Sequence, residues 1–135
     1  MGINCSVTVM LVSGGRIGFI KRQKEDTYGG MLVAPGGKVE ESDGEMIEGV
    51  RYFSVEDCAI REVLEETGIR LSREDLKYFC SLTLPNGRAV ISLYAELRGP
   101  ADGIILLDRK GISDRSDFAP GMKSEALLLA EKLGI

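Results

Sequence analysis

A chain of 135 residues, 44% hydrophobic and 28% charged, has the size and make-up of one globular domain with one core. Its formal charge of −4 argues against a nucleic acid polymer as partner, since such partners need a basic footprint. The absence of histidine removes Ser-His-Asp triads, Cys-His pairs and histidine-ligated zinc, and no apolar run approaches the ~20 residues that cross a bilayer, so no membrane partner is expected.

Residues 5–13, CSVTVMLVS, are rich in β-branched and apolar residues and predict a strand. The stretch before them lacks a basic n-region and a small-residue cleavage site, so it is not read as a signal peptide. Gly2 with Ser6 fits a myristoylation pattern that is too permissive to carry weight. Gly14-Gly15 turns the chain, and 16–23, RIGFIKRQ, returns as a second strand. A polar loop follows. MLVAPGGKVE, 31–40, predicts two brief extended pieces joined by a bend, and the acidic stretch 41–53 predicts a long loop or a loop with one helical turn.

From Ser54 the pattern changes. Ser54 can cap, with Asp57 three residues on, so a helix is predicted from Val55 to about Thr67 and Gly68 stops it. LKYFCSLTL at 76–84 and RAVISLYAEL at 88–97 read as paired strands joined by a Pro-Asn-Gly turn. Residues 99–120 read as irregular, with GIILL as a short edge strand, and GMKSEALLLAEKLGI closes the chain as a helix with Leu127, Leu128 and Leu133 among its apolar residues. There is no repeat, low-complexity tract or linker, so residues 1–135 read as a single domain. Strands interleaved with two helices predict an α/β or α+β fold with a mixed sheet. Cys5, Cys58 and Cys80 are odd in number, lack a C-x-x-C spacing and sit among apolar neighbours. They read as buried reduced thiols of a cytoplasmic protein.

The predicted helix 55–67 carries the chemistry. Glu62, Glu65 and Glu66 are spaced i, i+3 and i+4, which places them on one face, while Ala59, Ile60, Val63, Leu64 and Thr67 lie opposite and can pack on a sheet. A solvated polar face is the common explanation of such a pattern. Here like charges at i, i+4 repel by a few tenths of a kcal/mol, and carboxylates near a helix C-terminus oppose its dipole. Arg61 alone offsets them locally. A divalent cation held among these oxygens would reverse the sign of the problem, and Mg²⁺ favours such sites beside substrate phosphates.

GGKVEE at 36–41 followed by REVLEETGI at 61–69 resembles the Nudix hydrolase signature, G-x5-E-x7-R-E-U-x-E-E-x-G-U with U aliphatic. The second half matches at every defined position: Arg61, Glu62, Val63, Glu65, Glu66, Gly68 and Ile69. The resemblance implies an α/β/α sandwich with a mixed central sheet, a catalytic loop-helix and a C-terminal helix. It implies a metal-dependent pyrophosphohydrolase acting on a nucleoside diphosphate linked to some group X. Glu62, Glu65 and Glu66 would bind Mg²⁺ or Mn²⁺, with a backbone carbonyl of the Gly36–Lys38 loop, taken at Gly37, also available. Arg61 would hold the loop–helix junction by pairing with an acidic residue. Glu96, at the end of a strand, matches a position where some relatives carry a metal-linked or basic glutamate; an exposed strand-end carboxylate explains it equally well. Arg22, Lys21 and Lys38 could meet phosphates. The resemblance also implies a small-molecule nucleotide partner and a monomer or homodimer.

The chain departs from the signature upstream of the helix. The family spacing puts Arg fourteen residues after the first Gly, whereas Gly37 to Arg61 is twenty-four, so ten residues are added. The first glutamate falls on Asp43 counted forward and on Phe53 counted back; Asp43 and Glu45 are both candidates to replace it. The insertion, near SDGEMIEGVRYF, predicts a longer loop that could shape substrate choice or a subunit contact.

The small size fits hydrolysis of a (deoxy)nucleoside triphosphate to the monophosphate and pyrophosphate. The tail around Phe118-Ala119-Pro120-Gly121-Met122 loosely resembles the Phe-Pro-Pro-Ala-Asn stretch of oxidised-guanine sanitisers. Met122 stands where the base-reading Asn would be and cannot make a paired hydrogen bond, which argues against strict selectivity for oxidised guanine. Pro85, sixteen residues after Ile69, fits the spacing of some ADP-ribose hydrolases, although a hairpin turn explains it as well. ADP-ribose or another nucleoside diphosphate conjugate is the second reading, and a non-catalytic nucleotide-sensing module of the same fold is the third.

Overall fold

The apolar and β-branched run at 5–13 forms strand β1 (Cys5–Ser13) in the computed structural model, which describes residues 3–99 and 101–135. Gly2 of the lipidation pattern lies outside the described residues. The chain divides into two compact units, Met1–Val9 with Pro35–Ala95, and Met10–Ala34 with Glu96–Ile135, and β1 runs through both.

In the first unit the leading half of β1 pairs antiparallel with β4 (Gly36–Lys38), with Ser6 opposite Lys38, Val7 opposite Gly37 and Thr8 opposite Gly36. The sheet continues from β1 to β8 (Ala89–Glu96) and then to β7 (Lys77–Thr83), which are antiparallel with an irregularity between Tyr78 and Cys80. Helix α1 (Val55–Thr67) lies against β4. Val7, Val9, Val39, Ala59, Val63 and Ala95 are buried and form this unit's core. Burial of each of these valines stabilises the fold by roughly 1.5–3 kcal/mol, and of each alanine by less than about 1 kcal/mol.

The predicted loop at 41–53 is instead a β-hairpin, β5 (Gly44–Ile47) and β6 (Val50–Phe53). Glu48 and Gly49 turn it, both with positive φ (50° and 78°), the geometry of a type I′ turn whose twist matches its strands. The acidic residues of this stretch obscured a strand signal that Val50, Tyr52 and Phe53 carry. A 3₁₀ turn at Arg73–Asp75 was also not expected.

In the second unit the trailing half of β1 pairs with β2 (Arg16–Lys21) through the predicted Gly14-Gly15 turn. β2 pairs with β3 (Leu32–Val33) and with β9 (Ile105–Leu107), the edge strand expected from GIILL. A Cβ on Gly18 would lie 2.7 Å from Ile104, so this ladder needs a glycine. Phe19 and Phe118 meet edge to face at 5.0 Å between centroids, and a parallel bridge joins Leu32 to Phe118, which makes the strand pairing mixed. A short helix, α2 (Arg109–Asp114), capped by Asp108, occupies part of the stretch read as irregular. The closing helix α3 (Met122–Leu133) buries Ala126, Leu129 and Ala130 at i, i+3 and i+4, whereas Leu128 is exposed. Among the described residues no helix is long and apolar enough to cross a membrane.

Candidate functional site

The geometry begins with two glycines. A Cβ on Gly36 would collide with the Val7 carbonyl, and a Cβ on Gly37 would stand 2.5 Å from the Glu62 carboxylate. At Gly36 only bare backbone lets β4 lie this close to β1, whereas at Gly37 a side chain would push the Glu62 carboxylate aside. Helix α1 is fixed at both ends as predicted. Ser54 Oγ accepts the Asp57 N–H at 3.0 Å, and Gly68, in the left-handed region, donates its N–H to the Leu64 carbonyl.

Glu62 is tucked between β4 and Arg61 with only 13% of its side chain exposed, while Glu65 and Glu66 are open to solvent. The carboxylate of Glu66 accepts the Gly36 N–H at 3.1 Å. The single predicted acidic face is therefore graded, from a half-buried Glu62 to two exposed carboxylates. Cys58, Ala59 and Val63 form the buried side of the helix; Ile60, Leu64 and Thr67 are only half-buried.

Arg61 organises the group. Its Nε and Nη2 donate to the two oxygens of Asp43 at 3.0 and 2.8 Å, its Nη1 donates to Glu62 at 2.8 Å, and its Nη2 reaches the Lys38 carbonyl at 3.3 Å. Glu65 lies 3.6 Å away and Glu40 3.9 Å. Asp43 is 3% exposed and also accepts the Glu40 N–H at 2.8 Å, so its charge is fully answered. Glu45 is exposed on β5. The geometry thus separates the two acidic candidates that spacing left open: Asp43 is the residue that pairs with Arg61.

The ten extra residues are also located. Ser54 N donates to the Asp43 carbonyl at 3.0 Å, closing the base of the 44–53 hairpin. Removing 44–53 would bring Asp43 next to Ser54 and restore the family spacing on both sides of Asp43. The insertion is a self-contained ribbon set between two residues that already touch.

Electrostatics follow from these contacts. Hydrogen bonds from Arg61 hold the Asp43 carboxyl below the usual range against the opposing effect of burial. Arg61 is pushed further up by the same pair. Burial raises Glu62, with the hydrogen bond from Arg61 opposing it and the charge of Glu65 adding to it. Cys58, buried beside the Asp43 charge and under the Gly37 and Lys38 carbonyls, is pushed up to about 12. Of the three cysteines expected to be buried, Cys58 is, whereas Cys5 and Cys80 are only half-buried.

The donor set is hard oxygen throughout, which suits Mg²⁺ or Mn²⁺. Among the described residues no three carboxylates or thiols are gathered closely enough to hold an ion as placed. The Arg61 guanidinium stands beside Glu62 and Glu65 as their counter-charge. Carboxylates of graded burial on a capped helix, with Gly37 directly over one of them, fit a cation that would take over part of that role.

Of the other predicted residues, Lys38 is an exposed side chain on β4 within this group. Arg22, Glu96 and Met122 belong to the second unit. Arg22 is exposed just past β2, where its backbone bonds Gly30 and Met31; Glu96 is the exposed last residue of β8; Met122 is half-buried at the start of α3. A recess of ≈ 400 Å³ between the 44–53 hairpin and the first turn of α1 is lined by Glu45, Tyr52, Phe53, Glu56, Asp57 and Arg73, among others. Three carboxylates line it, and Arg73 is engaged with Asp57 at 2.7 Å, so it is a poor seat for phosphates.

A protein-family model described as NUDIX domain matches residues 4–114. Comparison with curated proteins returned no match. Among solved structures, the NUDIX domain of Shewanella oneidensis NrtR complexed with ADP ribose superposes with a TM-score of 0.73 at 14% identity, covering 96% of this chain and 87% of that one. A MutT protein from Methanosarcina mazei Go1 gives 0.64 at 18% identity, with coverage of 96% and 94%. A MutT/nudix family protein from Enterococcus faecalis gives 0.66 at 20% identity; 96% of this chain is covered, but it spans only 61% of that protein's chain.

Proposed function

Because this chain belongs to the NUDIX family, we propose that it is a divalent-metal-dependent pyrophosphohydrolase that cleaves a (deoxy)nucleoside triphosphate to the monophosphate and pyrophosphate. The observation that carries the reading is the set Glu62, Glu65 and Glu66 on one capped helix, with Arg61 pinned to a buried Asp43 and the Gly36–Gly37 backbone lying against the carboxylates.

Glu62, Glu65, Glu66 and the Gly37 carbonyl would hold Mg²⁺ or Mn²⁺. When bound, the metal would neutralise phosphate oxygens and lower the pKa of the attacking water. The remaining work falls to the chain. Gly36 N–H fixes the Glu66 carboxylate, and Asp43 fixes Arg61, so the acidic group is oriented before substrate arrives. Exposed Glu65 is suited to accept a proton from water as its oxygen attacks phosphorus; the bridging oxygen leaves with the departing phosphate. Lys38 would attract the polyphosphate.

The second reading is ADP-ribose, favoured by one observation: the NrtR domain that superposes on this chain was solved with that ligand. Retention of all three helix glutamates speaks against a purely non-catalytic module. The test is a panel of common and oxidised nucleoside triphosphates, ADP-ribose, dinucleoside polyphosphates and nucleotide sugars, with Mg²⁺ and then Mn²⁺. Turnover should be abolished by chelator and reduced at least ~10²-fold by Glu65→Gln or Glu66→Gln. Turnover indifferent to both substitutions would overturn the assignment of the site, and tight nucleotide binding without turnover would favour the sensor.

A further inference from the structure

One buried group beside the acidic face has no part in the chemistry so far. Cys58 precedes Arg61 by three residues and Glu62 by four, so it opens the row of side chains that both continue. It is fully buried. A buried free cysteine ordinarily serves as a small hydrophobe. The surroundings of Cys58 are polar instead. Its Sγ lies 3.5 Å from the Lys38 carbonyl, 3.9 Å from the Gly37 carbonyl and 3.7 Å from Nη2 of Arg61.

These contacts meet at the joint between β4 and α1. Glu66 holds the Gly36 N–H at one end of β4, and Nη2 of Arg61 holds the Lys38 carbonyl at the other, at 3.3 Å. That nitrogen is also committed to Asp43 at 2.8 Å, so its bond to Lys38 is the longer of the two. The thiol supplies a second donor to the same carbonyl. A thiol donates and accepts at once, so Cys58 gives its S–H to Lys38 and takes an N–H from Arg61. A hydrocarbon side chain does neither. Burial holds the proton on the sulfur up to about 12, so the donor is present at any working pH.

The spacing set at this joint matters one helical turn further on. Nη1 of the same guanidinium donates to Glu62 at 2.8 Å, and a Cβ on Gly37 would stand 2.5 Å from that carboxylate. A small shift of β4 or of the guanidinium therefore changes the place and the partners of Glu62. We propose that Cys58 is a positioning residue for the acidic group: its thiol ties the Lys38 carbonyl to Arg61, and so fixes where strand and guanidinium stand against Glu62. This role rests on the metal-dependent reading of the site, and Cys58 acts in it only through Lys38 and Arg61.

Three substitutions separate hydrogen bonding from packing. Cys58→Ser keeps a donor and an acceptor, Cys58→Val keeps bulk without either, and Cys58→Ala keeps neither. Mn²⁺ affinity by calorimetry and kcat are measured for each. Groups that orient metal ligands typically contribute about 10–100-fold, and a thiol is a weak donor, so Val and Ala should each lose about 10-fold in both, with Ser within about 3-fold of wild type. If Val matches wild type while Ser falls with Ala, the side chain only fills space and the proposal is overturned. Four equal affinities overturn it as well. The metal-free wild type gives a reading that needs no turnover. The S–H stretching band that Cys58→Ala removes should lie below that of an alkyl thiol in hydrocarbon solvent, and a band at the unbonded frequency overturns the proposal. A chain that turns over no nucleotide refutes the hydrolase reading, while the thiol band and the Mn²⁺ affinities still decide this one. Absence of Mn²⁺ binding by the wild type would overturn both.

Discussion

Replacing Asp43 by Asn tests the contact on which the site's geometry turns. The Asp43 carboxylate is 3% exposed and accepts three N–H groups: Nε and Nη2 of Arg61, and the Glu40 backbone. Asn keeps the shape but offers one oxygen, so one of the two Arg61 bonds becomes donor against donor. Hydrogen bonds to a charged group contribute about 1.5–3 kcal/mol, and breaking a buried ion pair costs about 3–5 kcal/mol. Arg61 is 25% exposed and keeps Glu62, which moderates the loss. The expected destabilisation is about 2–3 kcal/mol, read as a lower urea midpoint with an unchanged slope. Glu45→Gln, on the exposed strand β5, should cost less than about 0.5 kcal/mol. A cycle with Arg61→Gln should give a coupling of at least about 1 kcal/mol. The pH dependence has a definite sign. Because Asp43 is held below its ordinary value, its contribution is fully present above the unfolded carboxylate value of about 3.9, and is lost as pH falls through the lowered folded value. The difference between wild type and Asp43→Asn should therefore be constant from neutral pH down to about 5 and shrink below about 4. If Asp43→Asn were no more destabilising than Glu45→Gln, the assignment of Asp43 as the partner of Arg61 would be wrong.

Gly37→Ala would place a methyl 2.5 Å from the Glu62 carboxylate, the free end of a flexible side chain that can swing aside without moving its helix. It should cost less than about 1 kcal/mol by thermal or urea unfolding, yet weaken Mn²⁺ binding measured by calorimetry because Glu62 is displaced. Glu48 adopts φ 50° in the hairpin turn, so Glu48→Asn should stabilise the chain by up to about 1 kcal/mol, measured by its unfolding midpoint. Cys58, with its thiol raised to about 12, should remain unmodified by iodoacetamide at pH 8 under conditions that label Cys80, and react fully once the chain is unfolded in urea.

Local patterns determined much of this protein. Ser54, Gly68 and the apolar spacing between them delimited α1 to the residue, because caps and periodicity act within a few residues of themselves. The Gly14-Gly15 and Pro85-Asn86-Gly87 turns placed two hairpins for the same reason, and the spacing of Glu62, Glu65 and Glu66 marked the acidic helix. What spacing left undetermined depended on contacts across gaps in sequence. Asp43 and Glu45 are two residues apart and chemically alike. The choice between them was made by burial and by an arginine eighteen residues on. Glu62 differs from Glu65 only because Gly37 lies over it, a contact no helical wheel contains. The 44–53 ribbon was hidden by its acidic composition, since its pairing depends on the twist of a Glu-Gly turn rather than on hydrophobic alternation. Helical period and turn chemistry are local and legible in the chain; which carboxylate is desolvated, and which cation answers it, is set only when distant segments pack.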